Sequence, residues 1–153
     1  MSTEYIVELR HSDLPQLQEL LRANDLPDDD CLEQLGNICG IFNGDELIVA
    51  GGLEPAGPYA LLRSVVVREN YRGQGLAWRL TTYLLQRAEI QDVSVVYLLT
   101  ETAERYFESI GFRRVAREQV PVEIRNTRQF ASLCPDTATC MCIGLPLPSM
   151  GPD

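Results

Sequence analysis

The stretch Val65–Leu80, VVVRENYRGQGLAWRL, constrains this chain more than any other. Its three leading valines read as the end of a strand of the kind buried in a sheet. Arg68–Gln74 is polar and loop-like. From about Gly75 to Ile90 the pattern is helical, with Leu76, Leu80, Leu84 and Ala88 on one side. A strand that runs through a glycine-bearing loop into a helix presents the unpaired N–H groups of the helix start, and the positive end of its dipole, as an anion site. Gly73 and Gly75 allow the backbone to approach a ligand, and Arg68 and Arg72 add full positive charge. The combination suits a pyrophosphate.

The kind of pyrophosphate ligand is narrowed by what the chain lacks. A dinucleotide fold wants Gly-x-Gly-x-x-Gly, but Trp78 stands in the third glycine's place. A P-loop wants Gly-Lys-Ser/Thr, yet all 13 basic residues are arginine, which also removes Schiff-base lysine chemistry. A net charge of −9 argues against nucleic acid or an anionic membrane as a partner. That charge is uneven. Residues 1–60 set twelve carboxylates against Arg10 and Arg22 alone, and the remaining arginines lie from Arg63 onward.

The rest of the chain reads as one α/β domain over residues 1–145, with 146–153 (PLPSMGPD) as a loose tail. Strands are expected at 5–9, 38–42, 46–53, 59–67, 93–99, 112–116 and 137–145. Helices are expected after Ser12, around 31–35, at 75–90 and at 100–110, about four in all, ending at Gly111. Asn43-Gly44-Asp45 marks a hairpin, and Gly51-Gly52 marks a bulge or a close backbone approach. Residues 120–133 read as irregular or partly helical. The result is a central mixed sheet of about seven strands. No apolar run is long enough to span a membrane, no secretory signal is evident, and five irregularly spaced cysteines fit reduced thiols. A cytoplasmic protein is expected.

The segment Arg72-x-x-Gly75-x-Ala77 resembles the Arg/Gln-x-x-Gly-x-Gly/Ala signature of GCN5-related N-acetyltransferases (GNAT). Ala103–Phe112, AERYFESIGF, is similar to that family's segment after the fifth strand. ALLRSVVV, YLLTETAERYFESIGFRRV and QFASLCPDTA read together like the family's arsenic-resistance branch. The resemblance implies a GNAT fold and acetyl-CoA as cosubstrate, with no metal. It implies acetyl transfer to the primary amine of a small molecule, such as an amino acid analogue or an arsenical, by direct attack in a ternary complex. A monomer or homodimer is expected.

By the same resemblance, the cosubstrate would lie between Ser64–Val67 and Val93–Thr100. Val65, Val66 and Val67 would meet its pantetheine arm, and Arg72, Gly73, Gln74, Gly75, Leu76 and Ala77 its pyrophosphate. Thr100 and Phe107 would lie along it. A backbone N–H at Val65 or Val66 would steady the oxyanion. The family's frequent acid, a tyrosine, corresponds to Phe107. Neighbouring Tyr106 points about 100° away on a helix, so its loss is expected to cost little rate.

Candidate bases are carboxylates, Glu54 first and Glu101 second; the alternative for each is a solvated surface residue. Arg63 could clamp a substrate carboxylate, or form a surface ion pair. His11, the acidic run Asp28-Asp29-Asp30, Trp78 and the thiols of Cys134, Cys140 and Cys142 read better as surface or packing residues than as ligands. Two other functions fit the same pattern. One is an acyl-CoA-binding sensor with little catalysis, and the other is a peptide or protein N-acetyltransferase.

Overall fold

The computed structural model describes residues 5–133 and 136–147. In chain order its elements are β1 (Ile6–Glu8), α1 (Leu14–Ala23), α2 (Cys31–Gln34), β2 (Ile38–Asn43), β3 (Glu46–Ala56) and β4 (Tyr59–Val67). Then follow α3 (Leu76–Ile90), β5 (Val95–Thr100), α4 (Glu104–Ile110), β6 (Arg113–Arg114), α5 (Val122–Arg125), a π-helical turn (Gln129–Leu133) and β7 (Thr139–Gly144). The seven strands form one mixed sheet in the order β1-β2-β3-β4-β5-β7-β6. This is the expected mixed α/β architecture. The described residues hold five α-helices instead of about four, because the stretch expected to be irregular or partly helical folds into α5 and the π-helical turn.

Two strands in the middle set the shape of everything around them. β4 and β5 are parallel neighbours, but they pair only over Tyr59–Leu61 against Val95–Tyr97. Beyond that point β4 stays with β3 and β5 stays with β7, so a gap opens between them. The cause is local. The β3–β4 register passes from Gly52↔Arg63 to Ala50↔Val66, which leaves Ser64 and Val65 both opposite Gly51. Such a bulge bends and twists its strand, and Ser64 takes a positive φ of 58° to make it. Gly51 serves the close approach that its sequence suggested: a Cβ there would sit 3.1 Å from Leu80 of α3 and 3.4 Å from Val65.

Alternation along the strands buries both faces of the sheet. On one face α3 lays Leu80, Leu84 and Leu85 over Ile48, Val96 and Met141, and α4 adds Phe107. On the other face α1 packs Leu17, Leu20 and Leu21 against Leu47 and Val66, while α5 seats Ile124 on Leu61 and Tyr97. Cys140 and Cys142 belong to this second layer, where burial pushes the Cys140 thiol up to about 11. Cys134 lies outside the described residues. Within the segment expected as a tail, Leu147 packs on the core and its N–H donates to Glu89 Oε1; residues 148–153 lie outside the described residues.

Between the α1–α2 layer and α5, a buried ion triad pins α2 to the sheet. Arg63 of β4 is 2% exposed and Asp30 only 1%. Arg63 Nη1 donates to Asp30 Oδ2 at 2.6 Å and to Glu54 Oε1 at 2.9 Å, and Nη2 donates to Asp30 Oδ1. Burial alone would lower the pKa of the guanidinium. Hydrogen bonds and charge from Asp30, then Glu54, outweigh it, so the net shift is upward and the cation is retained. The acidic run 28–30 is thus not simply solvated: its last member is a core residue. Removing one partner of a buried pair strands the other, at a cost of about 3–5 kcal/mol. Asp30→Ala is therefore expected to lose about 3 kcal/mol in urea unfolding, and a loss below about 1 kcal/mol would contradict a structural role for the triad.

Candidate active site

The gap between β4 and β5 widens into a cleft of about 1310 Å³. One wall is the unpaired edge of β4. Arg68 N–H bonds Ile48 O on β3 at 2.8 Å, so Val66, two residues earlier and paired with Ala50, also directs its backbone to β3. Val65 and Val67 consequently turn their backbone groups toward the cleft. Of the two candidates for an oxyanion donor, this alternation favours Val65 and takes the Val66 amide away; Val66 contributes its side chain to the α1 layer instead.

The roof of the cleft is the start of α3. Gly73 and Gly75 adopt φ of 80° and 77°, and neither would meet any atom within 4 Å if it carried a Cβ. Glycine is required here for its backbone angle and leaves open space above the loop. Arg79 N–H bonds Gly75 O as the helix begins, and no side chain caps the N-terminus. The amides of Leu76, Ala77 and Trp78 therefore lack helical partners and line the cleft. Gln74 is exposed in the same loop but is not among the cleft-lining residues. Arg72 lines the cleft and hydrogen-bonds Asn24 Oδ1.

Arg68, expected beside it, is committed elsewhere. Its Nε donates to Leu47 O at 2.9 Å, and it pairs with Glu19 and Glu46 at 3.3 and 3.5 Å. Trp78, read from the sequence as packing, is 56% exposed and borders the cleft.

The opposite wall comes from the end of β5 and from α4. Thr100 closes β5, and its Oγ1 accepts the N–H of Ala103 at 3.0 Å. That bond holds residues 101–103 as a turn and delays the helix, expected from Thr100, to Glu104. Ala103, Tyr106 and Phe107, spaced three and four apart, form the helix face on the cleft. Two side chains about 100° apart therefore both reach it, which corrects the expectation that Tyr106 would point away. Phe107 is buried edge-on between Tyr106 and Phe112. The Tyr106 hydroxyl is buried with no hydrogen-bond partner among the described residues, and burial pushes its pKa up, so it stays protonated at neutral pH.

The two candidate bases part company. Glu54 is held by Arg63 and is not among the cleft-lining residues, because its partner draws it into the triad. Glu101 is exposed on the cleft wall. Arg63 lines the cleft, but its guanidinium is spent on Asp30 and Glu54, so the expected clamp for a substrate carboxylate is not available in this arrangement. Gln129, which opens the segment QFASLCPDTA but has no role in the sequence-based expectations, sits on the cleft wall, 6% exposed, with an Oε1 that has no partner among the described residues. The π-helical turn brings it there.

The chain is similar to known acetyltransferases. The family model for the acetyltransferase (GNAT) domain matches residues 33–114. Rv2747 from Mycobacterium tuberculosis, solved with coenzyme A and a second ligand, superposes with a TM-score of 0.77 at 18% identity, covering 92% of this chain and 99% of that one. N-acetylglutamate synthase from Neisseria gonorrhoeae, solved with coenzyme A and N-acetyl-glutamate, gives 0.83 at 13% identity. There the match covers 96% of this chain and 36% of the synthase chain. The ribosomal-protein-S18-alanine N-acetyltransferase of Escherichia coli gives 0.73 at 17% identity, covering 99% of both chains. The matched stretch takes in more than half of the 153 residues, from α2 through β4, the glycine loop and α4, and the chain therefore belongs to the GNAT acetyltransferase family.

Proposed function

We propose that this chain is an acetyl-CoA-dependent N-acetyltransferase that acetylates the primary amine of a small molecule while both substrates are bound. The observation that carries the reading is the uncapped start of α3 beside an unpaired β4 edge, with a buried, unpartnered tyrosine hydroxyl across the cleft. The residues present fit the cosubstrate. Amides from Gly73 to Ala77 and the charge of Arg72 would hold its diphosphate. The backbone of Val65 and Val67 would pair with the pantetheine arm as an added strand. Thr100 and Phe107 would border it from the other side. The cleft of about 1310 Å³ exceeds the roughly 300–1000 Å³ of a drug-sized ligand pocket. That room supports a complex of both substrates.

Acetyl-CoA, when bound, supplies an activated thioester carbonyl. Val65 N–H would meet charge growing on the carbonyl oxygen, an interaction typically worth about 3 kcal/mol. Glu101, directly or through a water, would take a proton from the bound ammonium, and the neutral amine so formed would attack the thioester carbonyl. Tyr106 Oη would return a proton to the sulfur that leaves. The resemblance to the arsenic-resistance branch would narrow the amine to an amino acid analogue or an arsenical. The family model and the solved structures support the acetyltransferase domain and not that branch. A second reading, modification of a peptide or protein N-terminus, draws on Asp25, Asp28 and Asp29 along the cleft, which would favour a basic segment. Robust acetylation of peptides with no turnover of free amines would select it. Binding of acetyl-CoA with no thiol release from any amine would select a sensor.

Two variants test the site. Gly75→Glu sets a carboxylate against the diphosphate and is expected to abolish acetyl-CoA binding in calorimetry while the protein stays folded. Gly75→Asn, which tolerates positive φ without charge, separates strain from repulsion. Unchanged affinity in Gly75→Glu would remove the proposed phosphate loop. Tyr106→Phe is expected to lower kcat by about a hundredfold with acetyl-CoA affinity retained. A loss of less than about threefold would return acid catalysis to water. Because burial raises the phenol's pKa, its deprotonation should not limit the rate below the ordinary tyrosine value of about 10.

A further inference from the structure

We infer that Gln129 receives an N–H of the acceptor amine, and that this acceptor is a cation carrying no carboxylate. The inference rests on the acetyltransfer reading and adds the acceptor's site and class. Gln129 is 6% exposed, lines the cleft, and its Oε1 has no hydrogen-bond partner among the described residues. A buried amide oxygen left unpaired costs free energy in the empty protein, so its persistence on a cleft wall marks a place where a ligand supplies the donor. An acceptor oxygen selects N–H or O–H groups, and an ammonium is the strongest such donor.

The backbone around Gln129 is built to hold it. It begins a π-helical turn, a rare form found often at functional sites. Thr127, two residues earlier, donates through Oγ1 to Ile124 O at 2.7 Å and accepts the N–H of Phe130 at 3.3 Å. Arg128 pairs with Glu33 of α2 at 2.9 Å. That pair ties the turn to the helix whose Asp30 grips Arg63, next to the β4 bulge. Gln129 thus belongs to the end of the cleft built by α2, α5 and the bulge. The proposed diphosphate site is at the start of α3, where Arg72 also reaches Asn24 at the end of α1.

Charge decides the class. The cleft wall carries the carboxylates of Asp25, Asp28, Asp29 and Glu101. Asp28 is paired with Arg22 at 2.7 Å. Of the two cleft-lining arginines, Arg63 sits between two carboxylates, and Arg72 is held in the phosphate loop by Asn24. A substrate carboxylate would meet a net negative wall with no uncommitted cation among the described cleft residues. A cationic amine would meet complementary charge and Gln129 Oε1.

Gln129→Met, nearly isosteric and apolar, tests this against a structural role. The expected result is a melting temperature at or above that of the wild type, acetyl-CoA affinity by calorimetry within about twofold, and a KM for L-alaninamide and putrescine raised about tenfold. Gln129→Glu, which keeps an acceptor oxygen, should hold KM near the wild-type value. Wild-type enzyme should acetylate L-alaninamide faster than L-glutamate. A lowered melting temperature in Gln129→Met, an unchanged KM, or a preference for L-glutamate would overturn the proposal. So would a wild type that binds acetyl-CoA but acetylates none of these probes. Failure of the wild type to bind acetyl-CoA would instead overturn the acetyltransfer reading.

Discussion

The structure turns on the place where two parallel strands stop pairing. β4 and β5 share hydrogen bonds only as far as Leu61 and Tyr97, and the bulge at Ser64–Val65 then carries β4 away. A sheet that parts in its interior exposes backbone groups that would otherwise be buried and unmet, which is unfavourable unless water or a ligand satisfies them. The fold accepts this because each strand has a second neighbour, β3 for one and β7 for the other. The opening is therefore rigid on both sides. The positive φ of Ser64 is part of the same arrangement, a small strain held by the packing of Gly51 beneath Leu80.

Around that opening, chemistry is divided between chain segments. The start of α3 supplies polarised amides and suits phosphate. The loop from Asp25 to Asp29, Glu101 after β5, Arg63 of β4 and the π-helical turn supply carboxylates, an arginine already neutralised by Asp30 and Glu54, and an amide oxygen without a donor among the described residues. An anionic cosubstrate and a cationic acceptor would each find its own end, and would meet where the β4 edge is unpaired. The ion triad matters to this division. By occupying Arg63 it holds α2 in place and takes from the acceptor end the one cation that β4 contributes.

Much of the fold was legible along the chain. The Asn-Gly turn between β2 and β3, the valine-rich strand, α3 from its leucine spacing and the close approach at Gly51 all depend on neighbours in sequence or on period. So does the glycine loop, whose angles follow from Gly73 and Gly75 themselves. The readings that needed change concern side chains whose partners lie far away. Arg63 and Asp30 are 33 positions apart, and nothing in either neighbourhood indicates that they are buried together. Arg68 was assigned to the loop by proximity in sequence, but Leu47, Glu19 and Glu46 claim it. Glu54 was lost to the same triad. Tyr106 was set aside by helix phase alone, although a cleft-facing stripe is wide enough to hold both it and Phe107.

The sequence by itself determined the local devices: where the chain turns, where amides are left uncapped, and which family signature it carries. These rest on backbone angles and hydrophobic period, which act over a few residues. Tertiary structure decided which charges cancel, which polar atoms are left unpaired, and which side of the cleft they face. Such properties belong to desolvated groups brought together from distant segments, since an isolated Arg63 or Gln129 in water has neither a partner to lose nor a burial cost to meet.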